Sequence, residues 1–389
     1  NHSSLVLTAS PGAGKTTVVP LALLDEPWLK GKRIVMLQPR RIAARLAAQR
    51  MAFLHGSPVG QTVGYQVRFD RKISENTRIE ILTEGLLTRR MQADPFLEDV
   101  GLVIFDEFHE RSIHADLGLA MAREIQRTVR GDLKVLVMSA TMNPQPVAGF
   151  LGDCPVLEAP GFLFPVTCTY LENTSQRPLP VLTAEAVQTV LQDLSHPGDL
   201  LVFLPGEGEI YRTMDRLIER YGTNEYHILP LHGSLPLDRQ DEMLRPREKR
   251  KIILSTNIAE TSLTIEGVTT VIDSGFRRRL RLDPATGLER LELERISRDS
   301  ADQRAGRAGR LGPGRAIRLW SSAEHATLAP FTSPEIVSVD LAGLLMELAS
   351  WGKPDPLAFG WLEPPPLATL KAAQHLLHLL EAIDDRGRL

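Results

Sequence analysis

The chain has 389 residues, 43% of them hydrophobic and 24% charged, with a formal net charge of −3. That length is too great for one ordinary core and suggests two or three domains, and the composition is that of a globular chain, which excludes a disordered one. No apolar run approaches the roughly 18 residues of a membrane span and no basic-then-apolar leader is visible; the two cysteines, Cys154 and Cys168, make neither a Cys-x-x-Cys metal pair nor a disulfide framework, so a cytoplasmic protein is expected.

In chain order, an apolar strand, SLVLTA, leads into ASPGAGKT (9–16), and a helical TTVVPLALL follows. ASPGAGKT fits the phosphate-binding loop except that Ala9 replaces the first glycine of that pattern. The physical requirement is still met. Gly12 and Gly14, either side of Ala13, let backbone N–H groups turn inward around phosphate oxygens; Lys15 reaches the β/γ-phosphates, the Thr16 hydroxyl binds magnesium, and Thr17 joins them at the start of the helix.

RIVMLQP and RIEILTE are further strands with polar carboxyl ends, followed by LVIFDEFHERS. Ligands gather at such ends in an open α/β sheet. Two readings compete for FDEFHERSIH. A zinc helix fails on geometry, because His109 and His114 are five apart and diverge by roughly 140° on a helix, whereas i, i+4 histidines share a face. The alternative is an acidic strand end, with Asp106 holding magnesium and Glu107 as the base for the attacking water. KVLVMSAT then brings Ser139 and Thr141 to another strand end, where a Ser/Thr turn alone is uninformative.

After a Pro/Gly-rich break, EAPGFLFP (158–165), the theme repeats in DLLVFLPG, HILPLHGS, KIILSTN and TTVIDSG. Alternating strands and helices point to two α/β domains with largely parallel sheets, at 1–160 and 161–321. Arg277, Arg278, Arg279 and Arg281 cluster ahead of a second arginine-rich stretch from Arg295 to Arg318, a distribution that suits a nucleic-acid partner better than the net charge does. Within it lies QRAGRAGR (303–310), whose arginines recur every three residues among small ones. A solvated basic helix would read the same way; the sharper reading makes Arg307 and Arg310 arginine fingers for a γ-phosphate.

From Ser322 onward strand signals vanish. Ile336, Val337, Leu341, Leu344, Leu345 and Leu348 give one helical face, and PPPLATLKAAQHLLHLLEAI a helix opened by prolines, so a small helical appendage is expected over 322–389. Both ends of the sequence read as cut from something longer.

Together these residues resemble the DEAH-box branch of superfamily 2 helicases over nearly the whole chain. ASPGAGKT is similar to motif I, LQPRRIAA (37–44) to Ia, TEGLLTR (83–89) to Ib, DEFH (106–109) to II and SAT to III; LVFLPGEGEI is similar to motif IV, STNIAETSLTIEGVTTVIDSG (255–275) to V and QRAGRAGR to VI. Eight motifs in order are highly specific. Phenylalanine where the family commonly has alanine in motif II brings it closest to the bacterial HrpB-type group.

The resemblance implies two RecA-like domains with ATP and magnesium in the cleft between them, single-stranded nucleic acid across both, and 3′-to-5′ RNA helicase activity. It implies that Lys15, Thr16, Asp106 and Glu107 serve the nucleotide from one side and Ser262, Thr264, Gln303, Arg307 and Arg310 from the other, with His109, Ser139 and Thr141 coupling them. Arg40, Arg41, Thr83 and Thr256 would contact the nucleic-acid backbone, which positions a strand without reading sequence. The segment 276–297 resembles the family's β-hairpin, and 322–389 the start of a winged-helix domain.

There are departures. Glu266 stands where an aspartate is common. Met243 and Leu244 stand where relatives often have a base-stacking aromatic, which leaves stacking to Arg50. No upstream adenine-reading glutamine motif is visible, so weak discrimination among nucleoside triphosphates is expected. A DNA-directed motor, or a nucleotide-dependent switch with little unwinding, would carry much of the same pattern.

Overall fold

A computed structural model describes residues 2–389 except 11, 162–163, 172–176, 194–196, 223, 246–247, 262–264 and 284–285. Two compact units divide the chain: Asn1–Pro160, Leu280–Arg290 and Ser333–Leu389 form the first, Gly161–Arg279 and Leu291–Thr332 the second.

The first unit is built on eight strands: β1 (Ser4–Ala9), β2 (Arg33–Gln38), β3 (Val63–Val67), β4 (Asp70–Lys72), β5 (Ile79–Thr83), β6 (Val100–Phe105), β7 (Lys134–Ser139) and β8 (Val156–Ala159). They lie in the order β4-β3-β5-β2-β6-β7-β1-β8, all pairs parallel except β3 with β4. Strand β6, VGLVIF, is buried at every position, as a central parallel strand covered on both faces must be. Helices α1 (Lys15–Ala22), α2 (Arg41–His55), α3 (Glu84–Ala93), α4 (Ile113–Thr128) and α5 (Gln145–Phe150) supply that cover. Helix α2 stops where Gly56 takes a left-handed conformation (φ 75°), the usual glycine C-cap.

One core of this unit packs Val35, Val103, Phe105, Leu117 and Met121 together with Ile336, Leu341, Leu344, Leu348 and Leu370. The last five come from the segment expected as a helical appendage, so its apolar face is spent on the first unit's core. It is also less regular than its periodicity predicts: a 3₁₀ turn at Glu335–Val337 precedes α11 (Ala342–Ser350), and α12 (Leu367–Leu379) follows Pro366.

In the second unit, β9 (Val166–Tyr170), β10 (Asp199–Phe203), β11 (His227–Leu231), β12 (Lys251–Ser255), β13 (Val268–Asp273) and β16 (Gly314–Arg318) form a parallel sheet in the order β11-β12-β10-β13-β16-β9. Its helices are α6 (Leu179–Gln192), α7 (Glu207–Tyr221), α8 (Leu237–Leu244), α9 (Arg298–Gly306) and α10 (Ser322–Thr327). Strands β14 (Phe276–Asp283) and β15 (Leu288–Arg295) make a separate two-stranded hairpin. No helix among the described residues is long and apolar enough to cross a membrane.

Candidate nucleotide and nucleic-acid site

In the first unit the phosphate-loop candidates lie between β1 and α1. Gly12 and Gly14 both take positive φ, 86° and 80°, a conformation that glycine adopts without steric cost. A Cβ at Gly14 would stand 3.0 Å from Val18 Cγ2. Gly12 and Ala13 are exposed and Lys15 is buried, and the Ala13 amide donates to the Ser10 carbonyl at 3.2 Å.

Strand β7 stands between β1 and β6, so the acidic strand is one strand further from the loop than adjacency would put it. Its carboxylates reach across nonetheless. Thr16 Oγ1 donates to Asp106 Oδ2 at 2.6 Å, Gln38 Nε2 donates to the same oxygen at 2.6 Å, and Lys15 Nζ is 3.3 Å from Glu107 Oε2. Burial, followed by the neighbouring Glu107 charge, pushes the Asp106 carboxyl up to about 6 against the opposing pull of Lys15 and Thr16. Glu107 takes a left-handed φ of 51°, which turns its side chain from the strand toward Lys15.

The intervening strand has its own link to this acidic turn. Ser139 Oγ, at the end of β7, is 3.4 Å from His109 Nδ1, which lies 3.6 Å from Glu107 Oε2. His109 Nε2 is buried and has no hydrogen-bond partner among the described residues. Thr141 is half-buried two residues on, and Thr17 is half-buried in α1. Phe108 is 1% exposed and meets Phe105 edge-on at 6.3 Å, so its bulk joins the core beneath the site.

Arg40 precedes α2 and pairs with Glu110 at 3.1 Å, while Arg41 opens that helix and Thr83 caps α3. Gln38 and Thr83 are paired partners at the ends of adjacent strands, so these three candidates share the sheet's carboxyl edge. Arg50 stands apart, exposed and two and a half turns into α2, its guanidinium 5.5 Å from the Phe53 ring centroid.

In the second unit QRAGRAGR runs from α9 into a 3₁₀ turn at Arg307–Gly309. Its arginines are not equivalent. Arg304, 1% exposed, bonds Glu260 Oε2 through Nε at 2.8 Å and Asp273 Oδ1 through Nη1 at 2.8 Å, over the Phe203 ring. Burial would raise the Glu260 carboxyl, but Arg304 and the Ser300 hydroxyl hold it below its usual range; at Asp273 burial wins and the carboxyl is raised. Arg307 donates through Nη2 to the Glu260 carbonyl. Gln303 is buried, Arg310 half-buried, and Thr256 is half-buried at the end of β12. Ser262 and Thr264 lie outside the described residues, Glu266 is exposed, and Met243 is half-buried in α8.

The magnesium candidates fit a hard cation: a hydroxyl and a carboxylate oxygen in contact form part of an oxygen shell that phosphates and water would complete. Among the described residues no group of three or more His, Cys, Asp or Glu could hold a metal by itself. Sequence reasoning missed Gln38, Glu110 and Glu260. A glutamine ending β2 gave the only signal for the first.

Residues 1–149 match the family described as DEAD/DEAH box helicase, and residues 183–312 the helicase conserved C-terminal domain. The chain thus carries a DEAD/DEAH box helicase domain followed by a helicase C-terminal domain. It is 46% identical over 382 residues to the ATP-dependent RNA helicase HrpB of Escherichia coli (strain K12), covering 98% of this chain and 47% of that protein. It is 39% identical over 407 residues to the probable ATP-dependent RNA helicase DHX34 of Homo sapiens, covering 100% of this chain and 35% of the relative. A crystal structure of the Escherichia coli DEAH/RHA helicase HrpB superposes with a TM-score of 0.91 at 45% identity, over 100% of this chain and 49% of that one. Both sheets are therefore those of RecA-like helicase domains, and the helical C-terminal part is present. The chain spans about half the length of the bacterial relative and a third of the human one.

Proposed function

We propose that this chain is the motor portion of a nucleoside-triphosphate-driven 3′-to-5′ RNA helicase. The observation that supports it most is the Thr16–Asp106 and Lys15–Glu107 pairing, which brings a hydroxyl, two carboxylates and an ammonium to one strand end beside an open backbone loop. Magnesium held by Thr16 and Asp106 would neutralise charge on the phosphates. Lys15 exchanges Glu107 for a phosphate oxygen, and the carboxylate so released accepts a proton from the attacking water. His109, between Glu107 and Ser139, senses that exchange. Gln303, Arg307 and Arg310 are assigned to the developing phosphoryl charge, with the Glu260 carbonyl holding the Arg307 guanidinium. Arg40, Arg41, Thr83 and Thr256 are assigned to the RNA backbone.

The test is steady-state hydrolysis by the full chain with no nucleic acid, with poly-RNA and with single-stranded DNA. RNA is expected to stimulate turnover more than DNA, and Glu107→Gln to lower it by about 10²–10⁴-fold while nucleotide still binds. Stronger stimulation by DNA rejects the RNA assignment. Undiminished turnover in Glu107→Gln rejects the base.

A further inference from the structure

Strands β2 and β6 are parallel neighbours with Leu37 opposite Phe105, and the segments that leave their carboxyl ends are tied together by side chains. Gln38 bonds Asp106. Two residues on, Arg40 grips the Glu110 carboxylate with Nε at 3.4 Å and Nη2 at 3.1 Å. Glu110 in turn closes a tight bend, its amide donating to the Glu107 carbonyl at 3.0 Å. The bend is bounded by Glu107 and Arg111, whose φ values of 51° and 48° are both left-handed. Side chains of this size seldom adopt that conformation, and it persists only where the surroundings hold it.

The holds on this bend differ in kind. Phe108 is set into the core, and Arg111 forks onto the buried Asp116 at 2.9 and 3.1 Å. The ends are held by cations with another use. Lys15, the candidate for the nucleotide phosphates, rests on Glu107, and Arg40, a candidate for the RNA backbone, rests on Glu110. A guanidinium fork fits a phosphate as well as it fits a carboxylate. The Arg40 and Glu110 side chains are 20% and 21% exposed, so the pair is open to such an exchange. Each ligand therefore competes for one end of the same bend, Glu107–Glu110.

We infer that Glu110 is a positioning residue through which RNA reaches the base. Without RNA, Glu110 holds Arg40, and the pair fixes the bend with Glu107 on Lys15. An RNA phosphate that takes Arg40 frees Glu110, and Glu107 then parts from Lys15 more readily. The inference rests on the proposed function and assigns part of the stimulation by RNA to one ion pair.

The experiment uses the full chain as wild type, Glu110→Gln, Arg40→Gln and the double variant. It measures turnover at saturating nucleotide with and without saturating poly-RNA, the Kd of a labelled single-stranded RNA across a salt series, and the melting temperature. Glu110→Gln should raise RNA-free turnover about two- to fivefold, the scale of an ion pair that water still reaches, and leave RNA-saturated turnover unchanged. It should also bind RNA more tightly by a similar factor, because Arg40 no longer has to leave a carboxylate. Arg40→Gln should raise RNA-free turnover equally, yet weaken RNA binding and lower the slope of log affinity against log salt by about 0.7, one phosphate contact on a single strand. Since both residues act through one contact, the double variant should turn over without RNA no faster than either single variant. Increases that add in the double variant overturn the inference. So does a fall of RNA-free and RNA-saturated turnover together with the melting temperature in Glu110→Gln, the result of a merely structural pair. Wild-type turnover and affinity in Glu110→Gln overturn it as well, and leave the RNA reading standing. A wild-type chain that RNA does not stimulate overturns both.

Discussion

At the scale of single residues, the acidic strand end depends on conformations that residue type does not announce. Asp106, Glu107 and their order were legible, because two carboxylates after an apolar strand are chemically conspicuous. The left-handed turn at Glu107 and the bond from Gln38 were not, since both depend on strand order. A second carboxyl nearby has a pH consequence. Glu84 follows Thr83 and accepts a hydrogen bond from the Ser112 hydroxyl, and burial pushes its carboxyl from 4.5 up to about 8, with Glu110, Glu335 and Asp116 adding to the rise. The folded protein keeps the Glu84 proton through a pH range in which the unfolded chain releases it, so this group lowers stability as pH rises from 4.5 to about 8. Urea midpoints measured across that window should fall less steeply for Glu84→Gln than for the wild type. Parallel curves would mean that Glu84 ionises normally in the fold.

At the scale of elements, all nine strands read from apolar runs are present. The short or weakly apolar ones were missed: β3, β4, β8, β9 and β16 carry Gly, Gln, Arg, Thr or Glu where a long aliphatic run would have identified them. Periodicity put Arg304, Arg307 and Arg310 along one side of a single helix and gave Arg304 no role of its own. The helix in fact tightens at Arg307, and Arg304 turns inward as the counter-charge of two buried carboxylates, a role visible only once Glu260 and Asp273 are beside it. Arg304→Ala would leave both acids buried without a partner and should cost about 3–5 kcal/mol in a denaturant titration. Arg304→Lys keeps the charge but cannot fork between two acids, so an intermediate loss is expected. Alanine at no cost would mean that Glu260 and Asp273 find protons or other partners.

At the scale of the whole molecule, sequence motifs locate chemistry better than they locate packing. Apolar spacing marked the tail as helical but could not say against what it packs. Its leucines complete the first unit's core, Trp351 Nε1 donates to Glu124 at 2.8 Å, and Glu335 accepts from the Ile113 amide at 3.1 Å at the start of α4. A chain ending at Thr332 should therefore unfold at lower urea than Leu344→Ala, whose single truncation is expected to cost about 2–5 kcal/mol. An unchanged midpoint in the shortened chain would show that the tail's burial adds nothing to the first unit.

This discontinuity also bears on the order in which the protein can fold as it is synthesised. The second unit has all its residues once Thr332 has been made, whereas the first, begun at the amino end, still lacks Ser333–Leu389. At about 5–20 residues per second, the sheet that carries ASPGAGKT and FDEFH waits roughly 10–50 s for its last core residues. During that interval its unfinished apolar face is a natural substrate for a chaperone, and vectorial folding from the amino end is not open to this architecture.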